Sequence, residues 1–383
     1  MTLMRLKLAA LAAAVVLAAC GDGRSGVDFT STVSYGDSLS DVGTYRVGTI
    51  AAVGGGEWTV NSSSAANWTK LVAAAAGTGA PCPAQTGLLV NIPGLVGAPV
   101  ANNAGCLNYA QGSARVSQPY APNSATLQAP PFNQVNLGLM AVPLTTQMST
   151  HLGKTGGSYS GGELVTVMAG GNDMFMHFNG VVNAAAGGTG AVGAAITAGW
   201  AADVQAAVST GGAAATNAAI TAALAGMGQA GTELAGLVKA QILAKGARHV
   251  VVVNLPDATQ SPFGQSLDAS TRGLLGNLIN AFNSQLQAGL NGTGVLLVDA
   301  YTQGRVQMAN PALFGITNST TPACSTTSPN NPLQGSSLAC TPASTVATDT
   351  SGYAFADSVH PTPLSNRLLA DHVIVRMREA GWL

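Results

Sequence analysis

Five short apolar runs constrain this chain most: Phe29 to Tyr35, Leu107 to Ala110, Leu164 to Met168, His249 to Asn254 and Val295 to Asp299. They are bounded like strands and read as buried ones, because little along them alternates with polar residues. Segments with apolar residues at helical spacing lie between most of them, including Leu274 to Leu290 and Ser365 to Glu379. Strands alternating with helices predict an α/β chain whose parallel sheet is covered on both faces. In such sheets ligands bind beyond the carboxyl ends of the strands. Ser38, the loop at Gly112 and the stretch Gly170-Gly171-Asn172-Asp173 each follow a run directly.

Ser38 sits in Gly36-Asp37-Ser38-Leu39. A serine hydroxyl is a poor nucleophile until a base takes its proton and a third group orients that base. His360, in Phe355-Ala356-Asp357-Ser358-Val359-His360-Pro361, has a carboxylate three residues before it. A tight turn can put Asp357 on Nδ1 and leave Nε2 facing the serine; in isolation the same stretch reads as a structural turn. Acyl transfer also needs donors aimed at the oxygen that becomes negative. Gly112, in Asn108-Tyr109-Ala110-Gln111-Gly112-Ser113-Ala114, offers a backbone N–H, and Asn172 offers a side-chain amide. Alone, each segment is a glycine turn, with Asn172 a helix cap.

In this order the four segments resemble the signature blocks of the GDSL lipase/esterase family, also called SGNH hydrolases. The resemblance runs from about residue 29 to the C-terminus, and Asn254-Leu255-Pro256-Asp257 and Ala281-Phe282-Asn283 add to it. It implies a three-layer α/β/α sandwich of flavodoxin-like type with a five-stranded parallel sheet and long loop insertions. It also implies roles: Ser38 nucleophile, His360 base, Asp357 orienter, and an oxyanion hole from Ser38, Gly112 and Asn172. Thr44 and Ser113 depart from common family residues. The flanks of Ser38 are not the Gly-x-Ser-x-Gly elbow of α/β-hydrolases. Asp37 and Asp41 read as structural carboxylates that hold the serine loop. Of the other histidines, His177 follows the third block closely enough to line the cleft, as do Met174, Phe175 and Met176; His151, His249 and His372 read as ordinary surface or helix residues.

Hydrophobic residues make up 47% and charged residues 8%, with a net charge of -1, so no basic face is offered to nucleic acid. The start, MTLMRLKLAALAAAVVLAAC, has Arg5 and Lys7 ahead of an apolar stretch, the layout of a secretory signal over residues 1–19. Leu17-Ala18-Ala19-Cys20 resembles a bacterial lipobox, which implies a lipidated Cys20, an N-terminal membrane anchor and the outer membrane; ordinary cleavage to a periplasmic or secreted protein is the rival. Residues 20–28 would be a linker and 29–383 a single hydrolase domain. The remaining Cys82, Cys106, Cys324 and Cys340 are even in number for an oxidising compartment. Proximity favours Cys82 with Cys106 and Cys324 with Cys340; a zinc site lacks ligand spacing.

Three segments exceed a minimal sheet: 50–105, 180–231 and 304–352. The first and last read as surface loops, one pinned by each disulfide. The middle one contains an uncharged stretch from Val181 to Ala202, for which a membrane span competes with helices carrying Trp200, Val204 and Val208 toward the sheet. The resulting expectation is a monomeric, cofactor-free and metal-free carboxylic ester hydrolase that forms an acyl-serine intermediate. Apolar stretches Leu88 to Val90 and Leu95-Val96 suggest lipid or fatty-acyl esters as substrate. Polysaccharide deacetylation and acyl transfer use the same chemistry, and a non-catalytic envelope protein is the alternative of a different class.

Overall fold

Four of the five apolar runs hydrogen-bond into one parallel sheet. The structure is a computed structural model, and it describes residues 26–130, 132–186 and 211–383. In chain order the main elements begin with β1 (Ser31–Gly36), α1 (Trp68–Ala75), β2 (Gln85–Leu88), β3 (Ala98–Asn102) and α2 (Leu144–Lys154). Next come β4 (Glu163–Met168), α3 (Gly171–Ala186), α4 (Gly212–Leu237) and β5 (His249–Val253). The chain closes with α5 (Ala269–Leu290), β6 (Leu296–Val298), α6 (Ala300–Ala309) and α7 (Pro363–Glu379).

The sheet order is β1-β4-β5-β6, with Val33 opposite Val165, Val165 opposite Val250, and Val251 opposite Leu296. Alternation along the strands sends Val33, Tyr35, Val165, Val167, Val250 and Val252 to one face, under α3, α4 and α5. Leu164, Met168, Val251, Val253 and Val298 go to the other, under α1 and α7. Both faces are therefore dry, and the strands need no polar residues to meet water. Small residues let α4 lie close on α5: a side chain added at Gly231 would come within 2.4 Å of the Phe282 carbonyl.

The expected fifth strand is not formed. Leu107 to Ala110 does run along the free edge of β1: Ser34 N–H donates to Leu107, Tyr109 N–H to Ser34 and Gln111 N–H to Gly36. Only Ser34 and Asn108 make a bridge, however. The reason is local: the next ladder bond would run from Gly36 N–H to the Tyr109 carbonyl, and Gln147 Oε1 takes that N–H instead. A side chain thus occupies the backbone donor that a ladder would need.

The 50–105 segment is more ordered than a surface loop. Asn67 caps α1 by accepting from Thr69 N–H, Trp68 and Val72 bury against the sheet, and β2 and β3 form an antiparallel pair. Residues 310–352 carry only short helical turns. Disulfides join Cys82 to Cys106 and Cys324 to Cys340. Trp200, Val204, Val208 and Cys20 lie outside the described residues. Among the described residues no helix is long and apolar enough to cross a membrane.

Candidate active site

The end of β1 is shaped by a close approach. A Cβ at Gly36 would lie 2.3 Å from the Met168 carbonyl oxygen of the neighbouring strand, so only glycine passes there. Gln147 on α2 grips the same residue, accepting its N–H at 3.0 Å and donating to its carbonyl at 2.8 Å. The chain then bends and places Ser38, buried to 9% exposure, at the carboxyl end of the sheet. Two buried carboxylates fold the following loop. Asp37 accepts Leu39 N–H, and Asp41 accepts Gly43 and Thr44 N–H through one oxygen. Burial pushes Asp37 up to about 7, against the pull of the Leu39 N–H and of His360. Burial likewise pushes Asp41 up to about 6, against the N–H groups of Thr44, Gly43 and Gly112.

His360 arrives on a turn closed by an antiparallel bridge between Phe355 and Pro361. Asp357 organises that turn by accepting the N–H groups of Val359 and His360, while its other oxygen accepts Ser337 N–H at 3.0 Å. The His360 Nδ1 lies 2.8 and 2.9 Å from the two carboxylate oxygens. With Nδ1 donating, Nε2 is the acceptor, and it lies 2.9 Å from Ser38 Oγ. Burial alone would raise the Asp357 carboxyl; the adjacent His360 and the Ser337 N–H outweigh it and hold the group well below the carboxylate range. The three expected residues are thus brought together from opposite ends of the chain, in the geometry by which a base can take a serine proton.

One neighbour of this group has no counterpart in the sequence reading. The Trp58 ring lies against His360, centroid to centroid 4.8 Å, within reach of a cation–π contact once the imidazole is protonated. Its other side fills the space a side chain at Gly112 would occupy, since a Cβ there would meet the indole at 2.4 Å. The glycine at 112 is the only sequence mark of this contact, and it does not identify the partner.

On the oxyanion side the structure corrects the expectation for Gly112. Its N–H already donates to Asp41 Oδ2 at 3.0 Å and is not aimed at the cleft. The next residue, Ser113, lines the cleft and has φ 68, a left-handed conformation that costs a serine more than a glycine. Neither the Ser113 nor the Ser38 N–H donates to a protein acceptor among the described residues. Asn172, on the first turn of α3, gives one amide hydrogen to the Ala114 carbonyl at 3.0 Å, which leaves the second for the cleft. Beside it, the buried Asp173 accepts from Arg115 Nε and from Val116 N–H, locking the start of α3 to this loop.

The cleft measures about 320 Å³, with Ser38, Trp58, Ser113, Asn172 and His360 on its polar side. Met174, Phe175, Leu255, Phe263 and Ile279 form an apolar wall. Leu88 to Val90 and Leu95-Val96 belong to the β2–β3 region and do not line it. Met176 and His177 are buried away from it; burial, with Arg115 nearby, lowers His177 to about 4. His151 is a helix residue, on α2, and a buried one. It is packed among Tyr35, Tyr109 and Tyr159, and burial lowers it to about 4. His249 packs between Phe29 and Trp382. Among the described residues no group of three or more His, Cys, Asp or Glu is placed to hold a metal ion.

Comparison with known proteins follows the same lines. Two GDSL esterases/lipases of Arabidopsis thaliana are similar over part of their length. One is 31% identical over 140 residues, 34% of this chain and 37% of the relative. The other, named APG, is 29% identical over 146 residues, 35% of this chain and 40% of the relative. The alignments therefore span well under half of both relatives. The crystal structure of an extracellular lipase from Streptomyces rimosus aligns over 92% of this chain and 99% of its own, at 15% identity and a TM-score of 0.39. The family model described as GDSL-like Lipase/Acylhydrolase matches residues 33–373, and on that coverage the chain belongs to this family.

Proposed function

We propose that this protein is a serine carboxylic ester hydrolase. The observation that carries the reading is the 2.9 Å contact between Ser38 Oγ and His360 Nε2, with Nδ1 held by Asp357. His360 takes the hydroxyl proton as Ser38 attacks the ester carbonyl. The N–H groups of Ser38 and Ser113 and the free amide hydrogen of Asn172 receive the oxyanion. His360 then protonates the leaving alcohol and activates water to release the acid from the acyl-serine. A second alcohol in place of that water would make the same site an acyltransferase.

Family membership and the apolar wall beside Ser38 support esters with an apolar acyl group. The signal-like start and the cysteine at position 20 support a cell-envelope location through a lipid anchor, with residues 29–383 as one domain of flavodoxin-like arrangement. A fluorophosphonate probe tests the function directly. Labelling of the wild type and not of Ser38→Ala is expected; a folded wild type that remains unlabelled would refute the enzyme reading in favour of a non-catalytic envelope protein.

A further inference from the structure

Behind the catalytic residues lies a second, smaller space of about 150 Å³. Leu39, Pro256, Ala258 and Val359 line both it and the Ser38 cleft, so these four side chains form the wall between them. Leu39 adjoins the nucleophile and Val359 adjoins the base. The far side is one face of α6, where Ala300, Gln303, Gly304, Gln307 and Met308 recur at helical spacing. Ala300 and Gln307 on this face are buried, while Gln303, Gly304 and Met308 are half-buried. The middle position is Gly304, and a Cβ built there meets nothing within 4 Å.

We propose that this chamber receives the acyl chain of the ester, a deepening that rests on the hydrolase reading above. The chain stays bonded to Ser38 Oγ while the alcohol leaves and water enters. A space beside Leu39, separate from the Ser38 cleft, keeps it out of that path. Rotation of Leu39 and Val359 joins the two spaces. At roughly 30 Å³ for a group the size of water or methylene, the chamber holds about five carbons beyond the carbonyl. Acyl groups near hexanoyl fill it, and carbons beyond that gain no further burial.

The test compares wild type with Gly304→Phe and Gly304→Leu on p-nitrophenyl acetate, butyrate, hexanoate and decanoate, and on butyl and hexyl acetate. In the wild type kcat/KM should rise roughly fourfold per methylene up to about hexanoate and then level off. In Gly304→Phe the rise should vanish, with acetate held within about twofold. Gly304→Leu should stop the rise at shorter chains, and neither variant should lower the melting temperature. An active wild type whose chain-length profile both variants leave unchanged would overturn the chamber alone. So would an equal loss on every ester, or a loss confined to the alkyl acetates. A wild type inactive on all esters and unlabelled by fluorophosphonate would overturn the hydrolase reading itself.

Discussion

Replacing Asp41 by asparagine isolates the link between the serine loop and the oxyanion loop. The carboxylate accepts Gly43 and Thr44 N–H through Oδ1 and Gly112 N–H through Oδ2. An amide must present its NH₂ to one of these sides. The side facing Gly112 confronts one donor and the other side two, so the amide in Asp41→Asn keeps the serine loop intact and sets donor against donor at Gly112. A buried N–H left unsatisfied costs about 1–3 kcal/mol. The Gly112–Ser113 peptide relieves this by moving, and that displaces the Ser113 N–H from the oxyanion. Loss of one such donor lowers kcat by about 10²–10³; partial displacement in Asp41→Asn should give a fall of about 10²-fold with KM within about threefold. Steady-state kinetics on a short ester, with fluorophosphonate labelling to count intact serines, reads this. A variant of wild-type kcat would show that the Asp41 to Gly112 bond does not position the donor.

Asn172→Ala should lower kcat by about 10²–10³ with little change in KM, because its free amide hydrogen acts mainly in the transition state. Trp58→Leu should lower kcat about 3- to 30-fold, the range of a partly desolvated cation–π contact to the imidazolium, and Trp58→Phe should recover most of it; equal loss in both would assign Trp58 a packing role only. Ser38→Ala and His360→Ala should be nearly inactive, whereas Asp357→Asn should keep residual activity that grows from about pH 6 to about pH 9; a wild-type rate in that variant would reduce the site to a dyad. Asp37 and Asp41 bind protons more tightly folded than unfolded, so their contribution to stability falls as pH rises from about 4 to 7. His151 and His177, lowered to about 4, contribute the opposite slope up to about 6.5, because the unfolded chain binds their protons more tightly. Melting temperature should therefore rise more steeply with pH from about 4.5 to about 6.5 in Asp41→Asn than in the wild type, and equal slopes would contradict the Asp41 contribution.

The sheet was legible wherever valines crowd into short runs, because such runs have few other ways to bury both faces. Leu107 to Ala110 looked equivalent, yet Gln147 takes the Gly36 N–H that would have continued the pairing, a competition invisible in an apolar count. Helix α1 went unread because the glycine- and asparagine-rich surroundings hid the cap at Asn67 and the buried pair Trp68 and Val72. Ser38, Asp357, His360 and Asn172 stood out through their neighbours in sequence. Gly112 and Ser113 are adjacent in sequence, and choosing between their N–H groups requires knowing that Asp41 already occupies one. Trp58 could not be read at all, since its contacts with His360 and Gly112 span distant parts of the chain.

The Cys324–Cys340 bridge has a bearing on where the molecule can work. It closes a loop containing Ser337, whose N–H holds the carboxylate that in turn holds His360. A crosslink over such a separation removes about 3 kcal/mol worth of freedom from the open chain, and without it the Ser337 anchor rests on hydrogen bonds such as those from Asn61 Nδ2 to the Ser337 and Cys340 carbonyls. Oxidation thereby becomes a late step in arming the base. A chain retained among cytosolic thiols should carry a complete serine block and a poorly seated histidine. Comparing kcat of the wild type with that of a Cys324→Ser, Cys340→Ser variant measures the effect, and equal rates would disprove it. Closure of the disulfide and competence would then be a single event in the life of the protein.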